Sequence, residues 1–327
     1  MNIIKKIAVL LVFSLVLTSL GGCNSNTEDV KKDNSKLQVY TSFYCVYDFV
    51  SKIGGDKVQV YNMVPTGTEP HNWEPTSGDM LKLSNADFLF YNGGGMENWV
   101  EDVKAAIENP KIKYVELSSN IELLKSTHNH EHESHDHEKE TSHDHEEEHN
   151  HEEGLDPHIW LDPQNAKKEA FAIKEAFVSA DSQNADYYNK NYDEFAKKID
   201  KLDSDFKNAV QKAKNKTIVV AHEAYGYLCK AYGLQQLGIE GINAESEPSP
   251  AKMTEISKFV KDNNVKYIFF EELLATKAVS VISEETGAEL LVLNPFEGLK
   301  QEDIDKGEDY FSVMTKNLEN IKKALQV

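Results

Sequence analysis

The sequence predicts an α/β protein: two βα lobes with parallel sheets, joined by a long rigid linking helix. Three observations carry the prediction. From Leu37 to Leu117, short β-rich runs alternate with helical stretches, the rhythm of an open parallel sheet covered on both faces. The same rhythm restarts at Thr217 and continues into the last helix. Between the two blocks, Tyr188, Tyr192, Phe195, Ile199, Leu202, Phe206 and Val210 recur every three or four residues. That is one unbroken apolar stripe on a helix of roughly seven turns, long enough to bridge two lobes. A chain of 327 residues also suits two domains better than one.

At the start, Lys5 and Lys6 precede an apolar run of 14 residues, Ile7 to Leu20. A membrane span needs ~20 residues, so residues 1–22 read as an export signal. Leu20-Gly21-Gly22-Cys23 resembles a bacterial lipoprotein box, which makes Cys23 the lipid-bearing residue after cleavage. An ordinary secretory signal with a chance cysteine is the alternative. Small residues directly before Cys23, and a polar stretch after it, favour lipidation. Residues 23–36 then form a flexible tether. The mature chain is expected outside the cytoplasm, held to the cell membrane by lipid.

The N-terminal lobe is expected over residues 37–163. Strands are predicted at 37–42, 58–64, 87–93 and 113–117, with helices at 44–53, 79–84 and 97–108. Gly54-Gly55 stops the first helix. The proline-rich loop from Pro65 to Gly78 holds His71. Linking helices occupy residues 164–214. Asp162-Pro163 opens them as an N-cap followed by proline at the first helical position. Ala166, Ala170, Ile173, Phe177 and Ala180 form the stripe of the first. The C-terminal lobe covers residues 215–327. Its strands are predicted at 217–222, near 236–242, at 267–272 and at 290–295. Its helices are predicted at 224–232, from Pro250 to 263, at 276–286 and at 309–325.

Composition narrows the function. The net charge is −20, which excludes nucleic acid as a partner, since phosphate binding needs clustered cations. The same charge suits a protein that attracts cations. All 35 basic residues are lysine, so the forked guanidinium that recognises carboxylate or phosphate is absent. Cys45 and Cys229 are far apart in sequence and are expected as unpaired buried thiols; a disulfide or a metal-ligand role stays open.

The histidines point to a transition metal, because imidazole is the commonest metal-ligating side chain. Nine of the 12 lie in one run: His128, His130, His132, His135, His137, His143, His145, His149 and His151. From His128 to Glu153 this run carries 11 acids and one lysine, so it can bury no core and is expected to be disordered within a loop at 126–153. It has the makings of a weak, multivalent chelator, or of a solvated loop with no role. The other three are His71 in EPHNWEP, His158 in DPHIWLDP and His222 at the end of an apolar strand. A lone histidine is more often a surface or core residue than a ligand. These three, however, avoid helix interiors and sit where open α/β sheets bind ligands, beyond strand carboxyl ends or at the turn into the linking helices. The two acids flanking His158 are placed to orient its imidazole. Glu297 follows the last strand in a tight turn and is the preferred fourth ligand; Glu271, Glu272 and water are the alternatives. Three imidazoles and one carboxylate close a tetrahedron, as a transport site requires, and favour zinc over manganese.

EPHNWEP, DPHIWLDP, VVAHEAYGYL and LNPFEGL resemble the four signature regions of the metal-binding solute-binding lipoproteins of ABC transporters, the cluster A-I proteins, in their zinc branch. The resemblance covers Leu37 to Val327 in order. It implies two lobes joined by a rigid helix, with a Zn2+ site in the interlobe cleft. It carries His71, His158, His222 and Glu297 over as ligands. It also implies delivery to a membrane permease with its ATPase, by a protein expected to be monomeric. A manganese-type member is expected to have carboxylates where His222 and Glu297 stand. Cys45, where a proline is common, and the missing arginines depart from the pattern without touching a ligand.

Three alternatives compete: a manganese-binding member of the same family, a surface adhesin, and an exported zinc-dependent hydrolase with Glu69 or Glu223 as base. No HExxH helix or triad-like serine motif supports the hydrolase. No chemistry is expected of this chain.

Overall fold

Two four-stranded parallel sheets carry the fold in the computed structural model, which describes residues 36–107, 109–125, 154–242, 247–274 and 277–327. The signal at 1–22, Cys23, the tether up to residue 35 and the histidine run at 128–151 lie outside the described residues. No helix among the described residues is long and apolar enough to cross a membrane.

The first sheet comprises β1 (Leu37–Thr41), β2 (Val58–Asn62), β3 (Phe88–Tyr91) and β4 (Lys113–Glu116), in the order β2-β1-β3-β4. Val39 of β1 sits between Val60 and Phe88 in register, and all four residues of β3 are buried, as a strand covered on both faces requires. Helices α1 (Tyr44–Gly54), α2 (Ser77–Leu83) and α3 (Val100–Ala106) complete this lobe. Gly55 ends α1 at φ +52, where a Cβ would also strike the Tyr187 hydroxyl at 2.3 Å, so glycine is needed there on both counts.

A two-residue antiparallel hairpin, β5 (Leu124–Lys125) with β6 (Leu155–Asp156), follows. Then come α4 (Pro163–Ala180) and α5 (Ala185–Val210). The Asp162 side chain accepts from Gln164 N at 2.9 Å, capping α4 with Pro163 in its first turn. The two helices lie antiparallel: Phe177 meets Tyr188, Phe171 meets Tyr192, and Lys167 meets Asp200. At 26 residues, α5 is about 39 Å long. Its stripe is buried except for Tyr192, which is partly covered; Ala180, at the end of the α4 stripe, is exposed.

The second sheet contains β7 (Thr217–Val220), β8 (Gln235–Gly238), β9 (Tyr267–Phe270) and β10 (Glu289–Val292), in the order β10-β9-β7-β8. Around it lie α6 (Gly226–Tyr232), α7 (Pro250–Asp262), α8 (Lys277–Thr286), α9 (Gln301–Asp305) and α10 (Tyr310–Leu325). The predicted strand to His222 stops at Val220, because its pairing with β8 ends at Gly238; His222 lies in the loop beyond. Helix α5 packs on both lobes through aromatic contacts: Phe195 with Phe49 of α1 and with Phe311 of α10, and Phe206 with Tyr232 of α6. One hydrophobic cluster runs from the first sheet through α4 and α5 into the second.

Candidate metal centre

Each of the four predicted ligands sits on backbone fixed by its neighbours. His71 lies in the loop after β2, where its own N–H donates to both Glu69 carboxylate oxygens at 3.1 Å. Trp73, two residues on, donates backbone N–H to Pro70 and packs edge-on against Trp99. His158 follows β6. Asn92, at the end of β3, donates its amide to the Pro157 carbonyl at 2.9 Å. The Trp160 indole donates to the Pro295 carbonyl at 2.6 Å, which ties this turn to the one carrying Glu297.

His222 is held by the turn that follows β7. Ala224 N donates to the His222 carbonyl, Tyr225 N to Gln236 Oε1, and the Tyr225 hydroxyl to the Leu293 carbonyl. Glu297 follows β10. Asn317 of α10 brackets Asn294, accepting from its N–H at 2.9 Å and donating to its carbonyl at 2.7 Å. Asn294 Oδ1 in turn accepts from Phe296 N. Phe296 has φ +60, a conformation that costs a bulky residue of order 1–3 kcal/mol. Its ring is fully buried between Tyr44 and Tyr310, which offsets that strain and turns Glu297 into the cleft.

The side chains converge. Glu297 Oε1 lies 3.5 Å from His71 Nε2, 3.0 Å from His158 Nε2 and 3.6 Å from His222 Nε2. His158 Nε2 is 3.2 Å from His71 Nε2 and 3.5 Å from His222 Nε2. In a zinc tetrahedron with bonds near 2.0–2.1 Å, neighbouring donors are about 3.3–3.4 Å apart. These five separations bracket that value. All four donor atoms lie within 4.8 Å of one another, and all four residues are buried or nearly so. Glu297 Oε1 is buried with no hydrogen-bond donor aligned on it. An orphaned carboxylate oxygen facing three imidazoles fits a cation at their centre.

Two further acids set the tautomers. Asp156 Oδ1 accepts from His158 Nδ1 at 2.8 Å, and Glu271 Oε1 lies 2.5 Å from His222 Nδ1. Both bonds leave the Nε2 lone pair pointing inward, as a metal ligand needs. Burial alone would lower the His158 and His222 imidazoles, but carboxylates outweigh it. Asp156 and Glu297 raise His158; Glu271 and Glu297 raise His222 well above the usual range. Burial alone would raise Glu297, but the imidazoles of His71, His158 and His222 hold it well below the carboxylate range. Without a metal, these carboxylates favour the protonated forms of His158 and His222.

Some expectations need correcting. Of the two acids flanking His158, only Asp156 orients the ring; Asp162 spends its oxygen on capping α4. Glu271 is close to the site but bonded to His222, and Glu272 is exposed. Cys45 and Cys229, by contrast, are free and buried as expected, outside the four-residue group; burial pushes the Cys229 thiol up to about 12. The supports Asn92 and Asn317 leave little trace in the sequence. Asn92 was signalled only by a polar residue closing an apolar strand, Asn317 only by one on the apolar side of the last helix.

Residues 39–324 match the family described as zinc-uptake complex component A, periplasmic (ZnuA). The chain is similar to the high-affinity zinc uptake system protein ZnuA of Bacillus subtilis, 38% identical over 327 residues and covering 99% of each protein. It is also similar to the zinc-binding lipoprotein AdcA of Streptococcus pneumoniae, 35% identical over 325 residues, 98% of this chain but only 61% of that longer protein. The crystal structure of the Zn(II)-bound ZnuA-like domain of Streptococcus pneumoniae AdcA matches with a TM-score of 0.73 and 32% identity, covering 89% of this chain and 100% of that one. The match spans both lobes and all four converging side chains, and the chain belongs to the ZnuA family of zinc-uptake components.

Proposed function

We propose that this chain is the extracytoplasmic zinc-binding component of an ABC-type uptake system, and that His71, His158, His222 and Glu297 hold Zn2+ as cargo. The observation that carries the reading is the convergence of four buried donors, all within 4.8 Å of one another, around an orphaned carboxylate oxygen. Family membership supports the transport role. Three imidazoles favour zinc over manganese, which prefers oxygen donors. With Glu297 in the fourth position, no place remains for an activated water, so the site stores metal and does not hydrolyse. Cys23 anchors the chain to the membrane by lipid, in keeping with the lipoprotein name of a relative. The histidines from His128 to His151 collect metal weakly. The protein acts as a monomer and passes its ion to a permease driven by an ATPase.

Titration with Zn2+ and with Mn2+, in competition with a chelator, tests the reading on wild type and on His222→Ala. Wild type should show one tight zinc site and much weaker manganese binding, and the variant should lose the tight site. An undiminished tight site in His222→Ala would remove the ligand assignment.

A further inference from the structure

The turn that carries His222 runs on into α6, and its next residues reach the acid that orients a different ligand. Asp156 is buried, 3% exposed. Its Oδ1 accepts from both His158 N, at 3.0 Å, and His158 Nδ1, at 2.8 Å. Its Oδ2 lies over Gly226, where a Cβ would sit 2.3 Å from that oxygen. Gly226 is not in a left-handed conformation, and glycine is a poor helix former. Backbone geometry therefore does not call for glycine there; the space taken by the Asp156 carboxylate does.

Tyr227 grips the same residue through its backbone. Its buried hydroxyl donates to the Asp156 carbonyl at 2.9 Å and accepts from Leu124 N at 2.9 Å. Leu124 and Asp156 are cross-strand partners in the β5–β6 hairpin, so the phenol completes a pairing that two-residue strands leave short of bonds. Gln236 Oε1 pins Tyr225 N, and Gln236 Nε2 donates to the Glu223 carbonyl, which fixes the start of this segment.

We infer that Gly226 and Tyr227 are positioning residues for His158, acting through Asp156, so that the six residues from His222 to Tyr227 set two of the three imidazoles at once. The inference rests on the ligand reading proposed above. The segment supplies the His222 imidazole directly. It also holds the carboxylate that fixes the tautomer and aim of His158, whose Nε2 stands 3.5 Å from that of His222. The two imidazoles are thereby built as a pair by the second lobe, although His158 follows a hairpin rooted in the first.

The test measures zinc affinity by chelator competition and the visible absorption of the Co2+-loaded protein, which reports ligand geometry. Tyr227→Phe should weaken zinc binding on the order of tenfold, and Gly226→Ala by 10–100-fold, the usual cost of disturbing a ligand's orienting partner. Both should alter the Co2+ spectrum. Tyr232→Phe removes an equally buried phenol bond, to Asp203, and should leave affinity and spectrum unchanged. In an Asp156→Ala background, Gly226→Ala should cost nothing further, since its target is gone. If wild type binds zinc tightly while Tyr227→Phe and Gly226→Ala both stay within about twofold of it, the clamp is refuted and the ligand assignment stands. Additive losses with Asp156→Ala would also refute it. If wild type itself has no tight site, the ligand assignment fails and the clamp with it.

Discussion

Replacing Glu271 by glutamine separates the two jobs that a carboxylate beside a ligand performs. The Glu271 oxygen lies 2.5 Å from His222 Nδ1, with both side chains buried. Glu271→Gln keeps the shape and one acceptor oxygen but removes the charge. Loss of that charge makes the imidazole a poorer donor to zinc. Such changes typically cost 10–100-fold in metal affinity, about 1.4–2.8 kcal/mol. A second effect opposes the first. In the metal-free protein, burial would lower His222, but Glu271 and Glu297 together raise it well above the imidazole range, so zinc must displace a proton. The variant holds that proton less tightly, and its zinc affinity should fall less steeply with acidification. The loss should therefore be largest near pH 8 and narrow towards pH 6, in chelator-competition titrations across that range. Binding within about twofold of wild type at pH 8, or the same fold loss at every pH, would refute the reasoning.

Three further outcomes are expected. Zinc should raise the melting temperature more at pH 8 than at pH 6. The raised imidazoles of His158 and His222 stabilise the metal-free fold below their unfolded value of 6.5, and that contribution is lost as pH climbs through their folded values. Differential scanning calorimetry with and without zinc reads this, and an equal shift at both pH values would contradict it. Deleting residues 128–153 should slow loading from scarce zinc in stopped-flow experiments while leaving one tight site at equilibrium. Glu169 is fully buried, and burial, then the Glu97 charge, push its carboxyl well above 4.5. This carboxyl therefore costs wild type stability as pH rises from 4.5, by up to about 1.4 kcal/mol per unit, a contribution that Glu169→Gln removes. Urea unfolding should find the two alike near pH 5 and the variant more stable at pH 8.

The parts of the fold that carry strong periodicity were legible in the sequence. The stripe from Tyr188 to Val210 places α5 because each of its residues repeats one helical face. The proline and aspartate at 162–163 mark the start of α4 because capping is a local matter. Short elements were not legible. The β5–β6 hairpin has two residues per strand and α9 has five, too few to show a period. At the site, His71, His158 and His222 stood out as the histidines isolated from the run. Glu271 and Glu272 could not be told apart, because their roles depend on which one faces His222 at the end of β9. Gly226 and Tyr227 were invisible as supports, since their partners Asp156 and Leu124 are about 70 and 103 residues away in sequence.

Crystals of the zinc-loaded protein, measured on both sides of the zinc absorption edge, put the coordination to the most direct test. One strong anomalous peak should lie in the cleft, about 2.0–2.2 Å from Nε2 of His71, His158 and His222 and from a Glu297 oxygen. A principal peak elsewhere, or an ion in the cleft with water in place of Glu297, would contradict the four-ligand site.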